Sequence, residues 1–161
     1  MGDSCATNAD CSPLGDRFCD VSAPGGYCTV EGCDIRLVNG TTTDTCPSEA
    51  VCVRFFSPLA NKTCDPTHPS GCSPSERCLC DEADCRPSDG GLFSGHCAPE
   101  SSERRSCEKR CERNTDCRSG YSCRETGSHG AEPVPTSSMK VTTDAGVVNL
   151  PVGTPAKFCV Q

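Results

Sequence analysis

The chain has 161 residues, 18 of them cysteine, a formal charge of −7 and no tryptophan. Leu, Ile, Val and Phe make up only about 14% of it, too little apolar surface to offset the entropy of ordering the chain, so cross-links or metals must stand in for a core. This excludes Rossmann-type domains, TIM barrels and helical bundles, and the acidic balance argues against a nucleic-acid partner, which calls for clustered Lys and Arg.

The acidity is uneven: residues 1–100 carry 6 Lys/Arg against 15 Asp/Glu, whereas residues 101–125 carry 7 against 5. No apolar run reaches the length of a membrane-spanning helix. No charged-then-apolar leader precedes Cys5, the pattern expected of a mature chain or a fragment. The even cysteine count fits complete pairing, and the lack of any Cys-x-x-Cys argues against zinc ribbons, thioredoxin-like redox sites and haem attachment. Thiolate storage of metal is the rival, but only Cys78 and Cys80 show the dense spacing it favours. Disulfides in an oxidising compartment are the expectation.

In chain order the cysteines recur in a unit. A polar residue and Asp or Thr precede a cysteine, and a short turn leads to a second. Asn8, Asp10 and Cys11 lead to Cys19; Asp44, Thr45 and Cys46 to Cys52; Gly71 and Cys72 to Cys78; Asn114, Asp116 and Cys117 to Cys123. Cys5, Cys33 and Cys111 open units, and Cys28, Cys64 and Cys159 close them. Pro, Ser and Gly between the central cysteines make a turn, and the preceding Asp or Asn caps it. The fold class expected is small and disulfide-rich, with tandem short β-hairpin units and little regular secondary structure. The units span 1–32, 33–70, an irregular 71–106, and 107–161 with a long loop or hairpin insertion.

Interleaved pairing, first with third and second with fourth, ties each turn to both flanks. It predicts Cys5–Cys19, Cys11–Cys28, Cys33–Cys52, Cys46–Cys64, Cys111–Cys123 and Cys117–Cys159. Cys72, Cys78, Cys80, Cys85, Cys97 and Cys107 are left over, with their pairing open.

Val51 to Phe56 is the best strand, with β-branched and aromatic residues before Ser57 and Pro58. Glu100 to Asn114 reads as a helix near 101–113 that turns Cys107 and Cys111 to the scaffold. Its mixed charges make either an ion-paired solvated face or a basic patch for an anionic glycan or lipid. Between Cys123 and Cys159, Thr126–Ser138 reads as a loop. Met139–Val141 and Val147–Leu150 read as a hairpin around Thr142–Gly146.

Candidate sites are few. Arg54, Phe55 and Phe56 form the densest aromatic-basic spot, a binding anchor or else the local core. Asp81, Glu82, Asp84 and Asp89 pack four carboxylates into nine residues. Calcium is the cation such oxygens would take, although a solvated acidic loop is the plainer reading. No other cofactor is expected. His68, His96 and His129 lie in loop-like sequence without ligand spacing, and no catalytic motif is present, so a non-enzyme is expected. Asn39 and Asn61 head glycosylation sequons.

The cysteine motifs, with Gly25-Gly26-Tyr27-Cys28, Cys52 to Phe56 and Asp116 to Cys123, resemble the cysteine-rich secreted or lipid-anchored repeat proteins of myxobacteria and related bacteria. The units are also loosely similar to EGF-like and dickkopf-type modules. The resemblance implies a secreted or outer-surface location, with a lipid anchor in the full-length protein as one form. It implies no catalytic residue. The leading functional expectation is an extracellular binding or structural module with a protein or surface-glycan partner. The alternative is a protease inhibitor presenting Phe55–Lys62 or the long final loop.

Overall fold

The structure, a computed structural model, describes residues 1–38, 41–66, 71–81, 94–143 and 146–161. In chain order its elements are α1 (Asn8–Cys11), β1 (Phe18–Asp20), β2 (Tyr27–Thr29), β3 (Ile35–Val38), β4 (Thr41–Asp44), β5 (Ala50–Phe55), β6 (Thr63–Cys64), β7 (Glu76–Cys80), β8 (Gly95–Pro99), β9 (Arg104–Lys109), β10 (Ser122–Glu125), β11 (Ala131–Pro133), β12 (Pro135–Thr143), β13 (Gly146–Gly153) and β14 (Lys157–Val160). The sheets have two or three strands each, all antiparallel. This is a small, disulfide-rich hairpin fold.

Eight disulfides join described residues, and they form four interleaved pairs: Cys5–Cys19 with Cys11–Cys28, Cys33–Cys52 with Cys46–Cys107, Cys64–Cys78 with Cys72–Cys97, and Cys111–Cys123 with Cys117–Cys159. Cys80 is also disulfide-bonded, and Cys85 lies outside the described residues. In every unit the third and fourth cysteines are direct partners across a hairpin: Cys19 with Cys28, Cys52 with Cys107, Cys78 with Cys97, and Cys123 with Cys159. Residues directly opposite on antiparallel strands point to one face. Each hairpin therefore presents two sulfurs on one side, and the segment before it supplies the two that bond them.

The leading segment is shaped by the polar residues around its second cysteine. Asp10 Oδ2 accepts the N–H groups of Ala6 and Thr7, at 2.9 and 2.8 Å. Asp116 Oδ2 accepts those of Glu112 and Arg113, at 2.8 and 3.0 Å. These bonds to the residues after the first cysteine hold both carboxyls below their usual range. Thr45 does the same work in the second unit, its hydroxyl accepting the Asp34 N–H at 3.0 Å. A second polar residue fixes the third cysteine. Asn8 Oδ1 accepts the Cys19 N–H, and Asn114 Oδ1 the Cys123 N–H, each at 2.9 Å; Asp44 Oδ2 takes the Cys52 N–H at 3.2 Å. Immediately after the second cysteine all four units close the same turn. The carbonyls of Ser12, Pro47, Ser73 and Arg118 accept the N–H three residues on. In the third unit Glu76 braces this turn: Oε2 accepts from the Lys62 ammonium at 2.5 Å and from the Ser73 N–H at 2.8 Å. That lowers the Glu76 pKa to about 2.

One expected bridge, Cys46–Cys64, does not form. Cys46 bonds Cys107 rather than Cys64, and Cys64 bonds Cys78. The residues from Cys64 to Cys97 thus make a complete unit of their own. It is nested between β5 and β9, the two hairpin strands of the second unit. The helix expected near 101–113 is corrected too. Glu100–Ser102 is a single 3-10 turn, Arg104–Lys109 is strand β9, and the α-helix is α1 in the first unit. The run Arg-Arg-Ser-Cys-Glu-Lys has no charge period that chooses between strand and helix, and pairing with β5 decides between them. The final hairpin stands as expected, but longer: β12 and β13 pair with Met139 opposite Leu150.

Apolar packing among the described residues forms three small clusters, two of them on the two faces of β5. Ala50 and Cys52 meet Met1, Cys33, Cys107 and Val134 on one side, and Val51 and Val53 meet Ala131 and Phe158 on the other. Covered on both faces, β5 is buried from Ala50 to Arg54, with Phe55 half-buried at its end. Phe56, Leu79 and Ala98 join the nested unit to β5. Gly26 has φ +67°, and a Cβ there would overlap the Cys5 carbonyl, so the first unit requires glycine before Tyr27.

Mapping of a non-reduced digest is expected to yield a Cys46–Cys107 peptide and a Cys64–Cys78 peptide. Replacing residues 57–102 by Asn-Gly, a two-residue hairpin loop, should leave the other six bridges to form, because Phe55 already pairs with Arg104. Scrambled bridges in that excised protein would contradict the nesting. Asn8→Ala should cost about 1 kcal/mol in chemical denaturation by orphaning the Cys19 N–H, and Asn8→Asp, which keeps the acceptor, should cost less.

Candidate functional site

The first, second and fourth units meet at a cleft of about 310 Å³. Strand alternation puts its lining there. Cys19 and Cys28 point to one face of the β1–β2 hairpin, so Phe18, Asp20, Tyr27 and Thr29 point to the other. On β9, Cys107 points to the cystine side and Arg104, Ser106 and Glu108 to the opposite one. Phe55 on β5 is paired with Arg104 and therefore shares that face. Tyr121, from the turn of the fourth unit, completes the wall. Phe18, Tyr27, Phe55 and Tyr121 are four of the six aromatic residues among those described.

Two tyrosines fasten the junction. Their rings stack with centroids 5.4 Å apart and 20° between planes. Arg118 lies over Tyr121 at 4.3 Å and over Tyr27 at 5.7 Å. Its guanidinium donates to the carbonyls of Pro24, at 2.9 Å, and Gly26, and to the Tyr121 hydroxyl at 2.7 Å. The fourth unit's turn is thereby anchored to the first unit's loop. The Tyr27 hydroxyl accepts the Lys109 N–H at 2.9 Å, and burial raises its pKa.

Glu108 sits in this cleft. The Ser106 hydroxyl donates to its Oε1 at 2.7 Å. Burial is the main influence and raises its pKa; the Ser106 and Tyr27 hydroxyls oppose that rise, and nearby Asp20 adds to it. Among the described residues no cation lies in ion-pair contact with Glu108, Asp20 or Glu31, all of which line the cleft. Arg105, which also lines it, is already paired with Glu103 at 2.5 Å and Asp34 at 2.6 Å. Arg104 is exposed.

The sites read from sequence fall elsewhere or only partly here. Arg54 and Phe56 are buried, at 5% and 6% exposure, with the guanidinium 5.4 Å from the ring centroid. Arg54 Nε donates to the Pro133 carbonyl at 3.2 Å. Phe55 is half-buried, packs edge-on against Phe158 and reaches the cleft. Asp81 is bonded to His96 Nδ1 at 2.6 Å; Glu82, Asp84 and Asp89 lie outside the described residues, as does His68. His129 is exposed at φ +51°. The close sulfur groups, such as Cys5, Cys11 and Cys19, are built from disulfide-bonded cysteines, which do not offer thiolates to a metal. Sequence reading missed Glu108 and Phe18. The alternation Arg104, Ser106, Glu108 was a usable signal once 104–109 is taken as a strand, and Gly26-Tyr27 and Gly120-Tyr121 hold the two tyrosines that stack.

No helix among the described residues is long and apolar enough to cross a membrane. No protein-family model, characterised protein or solved structure matches the chain.

Arg118→Ala should loosen the junction and lower stability by about 1–3 kcal/mol, through loss of charge-assisted bonds and ring stacking. Arg118→Lys should recover only part of this, since an ammonium cannot span several carbonyls and a ring face at once. Near-UV circular dichroism of the two tyrosines reports the loosening, and an unchanged spectrum in Arg118→Ala would contradict it.

Proposed function

We propose that the protein is a non-enzymatic extracellular binding module, of the kind used in adhesins, filaments and receptor ectodomains, and that the three-unit cleft holds a protein partner. One observation carries this reading: most of the described aromatic side chains of an aromatic-poor chain converge on one cleft beside a half-buried carboxyl group, Glu108. Aromatic side chains are the usual anchors of recognition, and a cleft whose walls are pinned by disulfides loses little freedom on binding. Phe18 is 39% exposed there, a large apolar surface left uncovered by the chain itself. Dense disulfides are typical of extracellular proteins, and secretion or surface display is part of the same proposal.

The inhibitor reading has a narrower basis. Within Phe55–Lys62, Phe56 is buried and Leu59 to Lys62 close a turn, with the Lys62 N–H donating to the Leu59 carbonyl at 3.0 Å. That leaves Leu59, 38% exposed, as the apolar contact such a loop would offer a protease.

Immobilised protein should retain a surface protein from the source cell's envelope, and Phe18→Ala should weaken that retention at least tenfold while Leu14→Ala, also exposed but outside the cleft lining, does not. Equal retention by both variants would overturn the cleft as the site. Stoichiometric inhibition of a protease, abolished by Leu59→Gly, would replace the reading with the inhibitor one.

A further inference from the structure

We propose that the cleft receives a lysine or arginine side chain of the partner protein, with Glu108 as its counter-ion and Phe18, Tyr27 and Phe55 as its walls. This rests on the binding reading above and names the chemistry of the residue bound.

The argument is one of complementarity. Asp20, Glu31 and Glu108 line the cleft, and none of them has a cationic partner among the described residues. Asp20 Oδ1 accepts only from Ser22, by its N–H at 2.9 Å and its hydroxyl at 2.5 Å. Half-buried Glu108 has hydroxyl partners, Ser106 and Tyr27, where a carboxylate drawn out of water ordinarily has a charge. Of the two arginines in the lining, Arg105 is neutralised by Glu103 and Asp34, and Arg104 is exposed. Three acids thus face one unpaired cation. A carboxyl group held in a cleft with no counter-ion is costly to ionise, and an incoming ammonium or guanidinium removes that cost.

The walls suit the same guest. The alkyl stem of lysine or arginine buries against apolar rings while its head stays polar. Aromatic faces attract the cation itself, and Arg118 shows this chemistry in place at the same tyrosine pair, 4.3 Å from the Tyr121 centroid. An anionic guest would meet Glu108, Asp20 and Glu31 unshielded. An uncharged apolar guest would bury Glu108 further without satisfying it.

The test is an amide-resolved NMR titration of the intact, oxidised protein with four probes: the acetylated, amidated tripeptides Gly-Arg-Gly, Gly-Lys-Gly, Gly-norleucine-Gly and Gly-Glu-Gly. The arginine and lysine probes should shift the amides of Thr29, Ser106 and Glu108 saturably. Glu108→Gln, which keeps an acceptor for the Ser106 hydroxyl, should weaken them at least tenfold and leave the remaining spectrum in place. Norleucine binding as tightly as lysine, Glu108→Gln without effect, tighter binding of the glutamate probe, or no shift with any probe would each overturn the inference. Partner retention that depends on Phe18 would still stand in those cases, so failure here is separable from failure of the binding reading.

Discussion

The structure depends on one arrangement: two cysteines directly opposite each other across a hairpin, neither bonded to the other. Each bonds outward, to a cysteine in the segment that leads into the hairpin. A direct bond between opposite strands would leave that leading segment free. The crossed arrangement lays it over the hairpin face and fills the space between with sulfur. Cys19, Cys28, Cys52, Cys97, Cys107 and Cys159 are each at most 3% exposed. The cystines are thus the interior of each unit, which is how a chain so poor in Leu, Ile, Val and Phe holds a fixed shape. Cα separations repeat closely, 5.8–5.9 Å in the first bridge of every unit and 5.3–5.6 Å in the second.

The arrangement constrains the hairpin strands and leaves the chain between them free in length. That connection has 8 residues in the first unit (20–27), 18 in the third (79–96), 35 in the fourth (124–158) and 54 in the second (53–106). Closing a longer loop costs only slowly more, about 0.6 kcal/mol for each doubling. The second unit therefore accommodates a whole further unit, and the fourth accommodates the β12–β13 hairpin, without disturbing the paired cysteines. By the loop-entropy argument Cys46–Cys107, which spans 61 residues, is the bridge that restrains the unfolded chain most.

This freedom also marks where the sequence stops being legible. The interleaved pairing was readable in the first and fourth units, because their cysteines are consecutive along the chain and nothing intrudes. Asn8, Thr45, Asp44 and Asp116 were readable as structural polar residues, but not for the turn they serve: they bind N–H groups of the leading segment and of the third cysteine, while the turn after the second cysteine is closed by backbone bonds. Cys64 was assigned to the second unit because it comes next in order, whereas its partner is decided by which strands pair, a long-range fact that local spacing does not carry. The strand at 104–109 was hidden for the same reason. Its residues, Arg-Arg-Ser-Cys-Glu-Lys, show neither a two-residue period nor strong β propensity, and β5 supplies the reason to extend. The cleft is the least legible feature, because it joins Phe18, Phe55, Glu108 and Tyr121, four residues from three units separated by up to about a hundred positions.

The cleft's position nevertheless follows from the cystine arrangement. A strand has two faces, and in each unit one of them is committed to the disulfides. On β1, β2 and β9 the residues between the cystine-facing positions are Phe18, Asp20, Tyr27, Thr29, Ser106 and Glu108, and these are free of any structural demand from sulfur. Where hairpins from different units turn these free faces toward one another, a cavity forms whose walls are not committed to the disulfides. In a fold with so little apolar material, aromatic side chains spent on such a face are absent from the interior. Phe18 is the clearest case: it leaves more than a third of its surface exposed in a chain that has only five phenylalanines. On the binding reading proposed above, that exposed ring serves contact with another molecule rather than stabilisation of this one.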